Sequence, residues 1–252
     1  MNFPKANTFP PSTMRERSMG PNPLKLCEEL LSCADIPAGS VVLDLGSGAG
    51  LTSALMAREY GFVVYAADLW SNPSDNMRFF EECGLTNRQI IPLKADATAL
   101  PFAEGFFDAV VSVDSYNYFG RAPKYLGEHL LPLVKRSGEL LFAIPGMVHD
   151  CHDDLPACLL ASWTPGQLDY MHDIDWWRAN LEQTEEAEIV DMHEMECTRE
   201  AWADWIGCDN EYAAGDRSAV EAGALDYLNT IVVRLRRAAR KPNMKDYGRA
   251  NC

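Results

Sequence analysis

"VVLDLGSGAGLTSALM", residues 41–56, decides how the chain is read. Four apolar residues and one acid, Asp44, run into glycines at every second position, Gly46, Gly48 and Gly50, and an apolar helical pattern follows. A short apolar run bounded by glycine reads as a buried strand, and the pattern after it as a helix. The turn between them lies where open α/β sheets bind ligands. Glycine there lets the backbone approach a ligand closely and take a positive φ. A nicotinamide or flavin fingerprint needs G-x-G-x-x-G, and Leu51 stands where its third glycine would be. A phosphate-cradling loop needs Lys after its last glycine, and none follows Gly50. Both phosphate readings fit poorly.

Outward from this turn, β-type runs alternate with helical patterns, the signature of a parallel sheet with crossover helices. Asn22 caps and Pro23 opens a helix through "LKLCEELLSCA". Strands are expected over residues 40–46, 62–68, 89–96, 106–115 and 139–146. Helices are expected over 51–61 and 74–84, closed by Gly61 and Gly84, and a helix with its turn over 122–138. After Gly146 the rhythm changes. A capped helix starts at Thr164, a sixth strand covers 187–195, a helix 198–207 and a last strand 227–237, which is expected to run antiparallel.

The segment Asp44-Leu45-Gly46-Ser47-Gly48-Ala49-Gly50 follows D-x-G-x-G-x-G without a gap. It resembles motif I of the class I S-adenosylmethionine-dependent methyltransferases, in particular their broad small-molecule group, and the surrounding elements extend the resemblance over about residues 20–146. The resemblance implies an α/β fold: a doubly wound, Rossmann-like, seven-stranded, mostly parallel sheet with an inserted helical lid. It implies S-adenosyl-L-methionine as cofactor and S-adenosyl-L-homocysteine as product. Asp44 would meet the donor's ammonium directly or through water, with Gly46, Ser47, Gly48 and Gly50 lying against ribose and methionine. Asp68, ending the second strand, would take both ribose hydroxyls, and Leu69 and Trp70 would pack on adenine. Asp96 would accept from the adenine N6 amine, Ala97 would supply a backbone donor to the ring, and Asp114 or Ser115 would touch the donor. The segment Met19-Gly20-Pro21-Asn22 would fold over the methionine end.

Methyl transfer from a sulfonium is an in-line displacement and needs no metal. The protein must align the partners, exclude water and in some cases remove a proton. The acceptor is expected above the ends of the fourth and fifth strands. Tyr116, Trp163, Trp176 and Trp177 are the candidate substrate-binding side chains, and His172, His149 and Tyr118 the candidate catalytic ones. The run His149-Asp150-Cys151-His152-Asp153-Asp154 offers ligand types for zinc. Adjacent residues cannot all converge, so an acidic loop and no metal are expected. Cys151, Cys158, Cys197 and Cys208 would have to converge to hold a soft acceptor.

The 252 residues carry a net charge of −15, unevenly placed. Residues 150–216 hold 18 acids against two arginines, whereas residues 234–252 hold seven Lys/Arg against one Asp. The acidic block argues against a phosphate-tracking surface, so a small-molecule partner and no nucleic acid are expected. No apolar run approaches the roughly 18 residues that cross a membrane, the first twenty residues lack a secretory core, and eight unpatterned cysteines suit reduced thiols. A cytoplasmic protein is expected. The organisation implied is a flexible arm (1–19), a donor-binding core (20–146), an acidic lid insertion (147–184), the rest of the core (185–237) and a basic tail (238–252). Two rivals stay open: a nicotinamide-dependent oxidoreductase on the same fold, and a non-catalytic donor-binding module.

Overall fold

The computed structural model describes residues 2–239; most of the basic tail lies outside them. Seven strands form one sheet in the order β3-β2-β1-β4-β5-β7-β6. They are β1 (Val41–Leu45), β2 (Val63–Asp68), β3 (Ile90–Lys94), β4 (Phe107–Val113), β5 (Val134–Met147), β6 (Ala187–Glu194) and β7 (Leu228–Arg237). The first five run parallel, and β7 lies antiparallel between β5 and β6. This is the doubly wound, mostly parallel sheet expected from the sequence. Strands buried on both faces read as apolar runs because helices cover each side.

One face carries α1 (Pro11–Arg17), α2 (Pro23–Ser32), α3 (Leu51–Glu59) and α4 (Pro73–Glu82). α2 begins as its sequence dictates: the Asn22 side chain accepts from the Leu24 and Lys25 amides, and Pro23 fills a position whose N–H would go unpaired. The other face is covered by α5 (Tyr116–Phe119) and α7 (Ile174–Leu181); α6 (Pro165–Leu168) lies between β5 and α7 and carries the expected capping box at Thr164. α8 (Thr198–Ile206) and α9 (Glu211–Glu221) lie between β6 and β7. Among the described residues, no helix is long and apolar enough to cross a membrane.

Two expectations change. The arm is ordered: Phe3, Phe9 and Met14 are buried against α2 and α3, and Glu28 accepts from the Lys5 and Ala6 amides. Three irregularly spaced apolar residues among prolines leave no period to read, yet each fills a gap in the tertiary packing. Residues 122–138 form no full helix. A five-residue π turn (Leu126–Leu130) and a 3-10 turn (Leu131–Leu133) lead directly into β5. Pro132 lacks the N–H that a continuing helix would need.

α8 docks on the start of α2 through Asn22 Nδ2 to Asp204 (2.7 Å) and Lys25 to Glu200 and Asp204. Beneath it, the buried Glu29 carboxylate accepts from the Glu196 amide (2.8 Å) and the Cys197 amide (2.9 Å). Glu29→Ala leaves both N–H groups unpaired in the interior. Urea unfolding should show a loss of about 2–4 kcal/mol.

Candidate functional site

The glycine turn closes by its own backbone: the Gly46 and Ser47 amides both donate to Ala67 O. Gly46, Gly48 and Gly50 all have positive φ, at 78°, 51° and 88°. Two of them are also crowded. A Cβ on Gly46 would lie 1.9 Å from Ser115 Oγ, and one on Gly50 would lie 2.6 Å from the Phe80 ring. A Cβ on Gly48 would meet nothing within 4 Å. Gly46 and Gly50 therefore let the turn pack against α4 and the end of β4, while Gly48 faces open space where a ligand's backbone approach is free. Gly48→Ala should cost only about 1–2 kcal/mol in a thermal melt, the strain of a positive φ, while donor affinity falls more than tenfold by calorimetry.

The acids at the strand ends differ in role. Asp68 organises the rim: Oδ2 accepts from the Gly48 amide (3.0 Å), and Oδ1 accepts from the Trp70 and Ser71 amides (2.8 and 2.7 Å). Its oxygens keep lone pairs for further donors. Beside it Leu69 and Trp70 are exposed, Trp70 at 85%. Asp96 is exposed at the end of β3, and its Oδ1 accepts from the Thr98 amide and hydroxyl, which hold its carboxyl below the usual range. Ala97 is half-buried, and its carbonyl accepts from the Tyr125 hydroxyl.

Asp44 is 1% exposed, so direct contact with an ammonium is closed to it. One oxygen accepts from the Thr52 and Ser53 hydroxyls at the start of α3, and Oδ1 has no partner. Burial pushes its carboxyl up to about 6. The arm supports the same turn, with the Arg17 guanidinium donating to Ala49 O (3.0 Å) and stacking on Phe79.

Beyond the turn, at the ends of β4 and β5 and the start of β7, lies a cavity of about 360 Å³. Met19, Gly20 and Pro21 form one wall; a Cβ on Gly20 would press against Asp114 Oδ2 at 2.4 Å. Tyr118, Tyr170, Trp163 and Trp202 supply aromatic surface, and Asp114, Asp216 and Asn229 supply polar groups. Asp114 has φ 54°, an uncommon conformation for a side chain-bearing residue at a strand end. Burial, then the charge of Asp216, pushes its carboxyl up to about 7.

Of the acceptor-side expectations, the structure brings Tyr118 and Trp163 to this cavity, along with Asp114. Ser115 stays beside the glycine turn, against Gly46. Five other side chains go elsewhere. Tyr116 is fully buried and stacks on Phe142 at 4.0 Å, and Trp177 is fully buried in the same cluster. Both lie on the sheet-facing side of their helices, where apolar area is removed from water. Trp176 packs on that cluster and stacks with His172 at 3.7 Å. The His172 ring is thereby held against Trp176 and Asp150, outside the cavity lining, and burial lowers its pKa. His149 is exposed and also outside the lining.

Asp150, His152 and His172 converge, as do Cys33, Asp191 and His193. In the first group both His152 ring nitrogens already have acceptors, Asp150 Oδ1 (2.7 Å) and Leu168 O (3.1 Å), the arrangement of a hydrogen-bonded imidazolium rather than a metal ligand. Cys151 and Cys158 pack in one apolar cluster and Cys197 and Cys208 in another, so the four do not meet. Sequence reasoning missed Tyr170, Asp216 and Asn229 at the cavity. Asp216 sits on α9, whose mixed composition gave no periodic signal, and Asn229 on β7 is one polar residue in an apolar strand.

Sheet order, glycine turn and acid-bearing rim together define a class I methyltransferase fold. Residues 43–142 match the family model described as "Methyltransferase domain". It is 26% identical over 160 residues to a sarcosine/dimethylglycine N-methyltransferase of Aphanothece halophytica, covering 63% of this chain and 55% of that protein. It is 36% identical over 110 residues to a 2-methyl-6-phytyl-1,4-hydroquinone methyltransferase of Synechocystis, covering 43% and 33%. The chain thus spans about half, or less, of the length of these curated relatives. Among solved structures it superposes on Haemonchus contortus phosphoethanolamine N-methyltransferase 2 in complex with S-adenosyl-L-methionine, with TM-score 0.68, 19% identity and coverage of 89% and 54%. It also superposes on the [4+2]-cyclase SpnF, with TM-score 0.65, 17% identity and coverage of 86% and 81%.

Proposed function

We propose that this chain is a methyltransferase that moves a methyl group from S-adenosyl-L-methionine to a small-molecule acceptor by in-line displacement. The observation that carries the reading is the open face of Gly48 beside Asp68, together with a cavity at the ends of the neighbouring strands. The residues present fit the donor. The turn has no lysine for a diphosphate, whereas it offers glycine backbone, a carboxylate for vicinal hydroxyls and an exposed indole for a base. When bound, S-adenosylmethionine supplies an activated methyl group on a sulfonium, and the demethylated product leaves as S-adenosyl-L-homocysteine.

Asp68 holds the ribose, Leu69 and Trp70 cover the adenine, and Asp96 and Ala97 read its edge. Gly46, Ser47, Gly48 and Gly50 line the path, and Asp44 acts through its hydroxyl partners or a water at its free oxygen. Asp114 and Ser115 stand at the methionine end under Met19 and Gly20. Tyr118 and Trp163 face the acceptor, and residues 148–173 with α9 cover it. A cavity of about 360 Å³ is at the small end of ligand sites, so the acceptor is a compact molecule rather than a nucleic acid. The seven described cysteines are unpaired, in keeping with a reducing compartment such as the cytoplasm.

Fold likeness leaves the reaction open, since a cyclase shares the fold. The test is calorimetry with S-adenosylhomocysteine and with NADH, followed by transfer of a labelled methyl group to pools of small molecules. Binding of the nucleoside and label in a pool product support the reading. Tight NADH binding with no heat from S-adenosylhomocysteine would overturn it. Nucleoside binding with no transfer to any pool would leave a donor-binding module.

A further inference from the structure

We propose that the acceptor is a small amine that is cationic in its protonated or methylated form, carries no anionic group, and sits between Asp216 and Asp114 under the aromatic side chains of the cavity. The inference rests on the methyltransferase reading and names its substrate class.

The cavity is charged one way. Asp114 and Asp216 both line it, while Lys, Arg and His are absent from its described lining. Neither carboxylate has an ion-pair partner among the described residues. Desolvated negative charge without a counter-ion is costly. The ammonium of the donor answers one carboxylate, at Asp114, and Asp216 remains. It is fixed deliberately: Oδ1 accepts from Trp163 Nε1 (2.9 Å) and Oδ2 from Trp205 Nε1 (2.8 Å). Two indoles thus aim one carboxylate at the cavity, and each oxygen keeps a lone pair for an N–H donor.

The walls suit the same cation. Trp163 and Trp202 pair edge to face at 5.9 Å, and Tyr118 and Tyr170 pair at 5.3 Å. The negative faces of such rings attract an alkylammonium. A third, independent observation is Asn229. It is 6% exposed and lines the cavity, yet neither its Oδ1 nor its Nδ2 has a partner. Buried amides are almost always paired, so a polar group of the acceptor is its natural partner. A carboxylate or phosphate on the acceptor would face two acids with no Lys, Arg or His in the described lining to balance it. That separates this site from one for amino-acid zwitterions or phosphorylated amines.

The chemistry balances. The bound ammonium first gives one proton to water at the open side of the cavity, since Asp114 is occupied by the donor's ammonium. The nitrogen lone pair then forms a bond to the methyl carbon as the carbon–sulfur bond breaks, and that electron pair stays on sulfur. A methylated ammonium and a neutral thioether remain, with the displaced proton in solvent.

The test uses the full chain saturated with S-adenosylhomocysteine and three matched probes: choline, its uncharged carbon isostere 3,3-dimethylbutan-1-ol, and glycine betaine, which adds a carboxylate. Calorimetry should show choline binding about tenfold or more tighter than either of the others. Asp216→Asn should erase that preference while S-adenosylhomocysteine affinity stays within threefold. Equal binding of choline and its neutral isostere, or preference for betaine, overturns the inference and leaves the methyltransferase reading standing. Failure of S-adenosylhomocysteine itself to bind overturns both. If Asp216→Asn does not fold, the wild-type probe comparison decides alone.

Discussion

Asp68→Ala is expected to lower donor affinity at least a hundredfold, read by calorimetry with S-adenosylhomocysteine. The carboxylate receives three backbone amides, those of Gly48, Trp70 and Ser71. Charge-assisted bonds of this kind are worth about 1.5–3 kcal/mol each when intact. Removing the carboxylate takes away the proposed ribose contact and also frees the Gly48 amide and the segment that presents Trp70. Asp68→Asn keeps the shape but replaces one acceptor oxygen by a donor group. It should fall between wild type and alanine. If alanine binds the nucleoside as tightly as wild type, the donor does not lie along this rim.

Asp114→Asn is expected to do two opposite things: abolish methyl transfer to within background, a loss of at least a hundredfold, and stabilise the unliganded protein above neutral pH. The sign follows from linkage. The folded pKa, about 7, lies above the ordinary value of 3.8. The folded state therefore holds this proton more tightly, and the stability it brings is full below about pH 4 and lost as pH rises through 7. Above that, the ionised carboxylate is a cost that asparagine removes. Full desolvation would make it roughly 4 kcal/mol. Asp114 borders a cavity open to water, so about 1–2 kcal/mol is the expectation, or about 2–8 °C in Tm. Asparagine also tolerates the positive φ at this position. Melts at pH 8 and pH 4 should show the gain only at pH 8. A variant less stable than wild type at pH 8 would mean that the carboxylate is held by a counter-charge rather than strained by burial. A group that costs stability at rest and serves in turnover is what active sites accumulate.

The two variants probe the rim and the cavity separately, and the arm touches both. Arg17 grips the glycine turn at Ala49, and two residues later Met19 and Gly20 wall the cavity. The glycine turn and the cavity wall thus share one segment.

The glycine turn and its rim of acids were legible because they are local. A strand, a glycine turn and a helix need only neighbours in sequence, and an acid after each of three apolar runs falls on one rim once the strands are parallel. The same locality explains the caps at Asn22 and Thr164, where the side chain meets amides two or three residues away. The lining of the cavity was not legible in this way. Tyr116 and Trp177 look like pocket residues in sequence, but the helical face they occupy turns to the sheet, and burial of large aromatic area outweighs any role at the rim. His172 is a candidate by residue type, but its ring stacks on Trp176, outside the cavity lining.

By itself, then, the sequence determined the strand–turn–helix unit, the strand-end acids and the antiparallel last strand, because each follows from periodicity, capping and the steric demands of glycine. Only the tertiary structure decided which aromatics line the cavity, that the arm is part of the core, and that Asp114, Asp216 and Asn229 meet in one cavity. These come from β4, α9 and β7, far apart along the chain. Their convergence depends on how sheet and helices pack, and no local pattern encodes that.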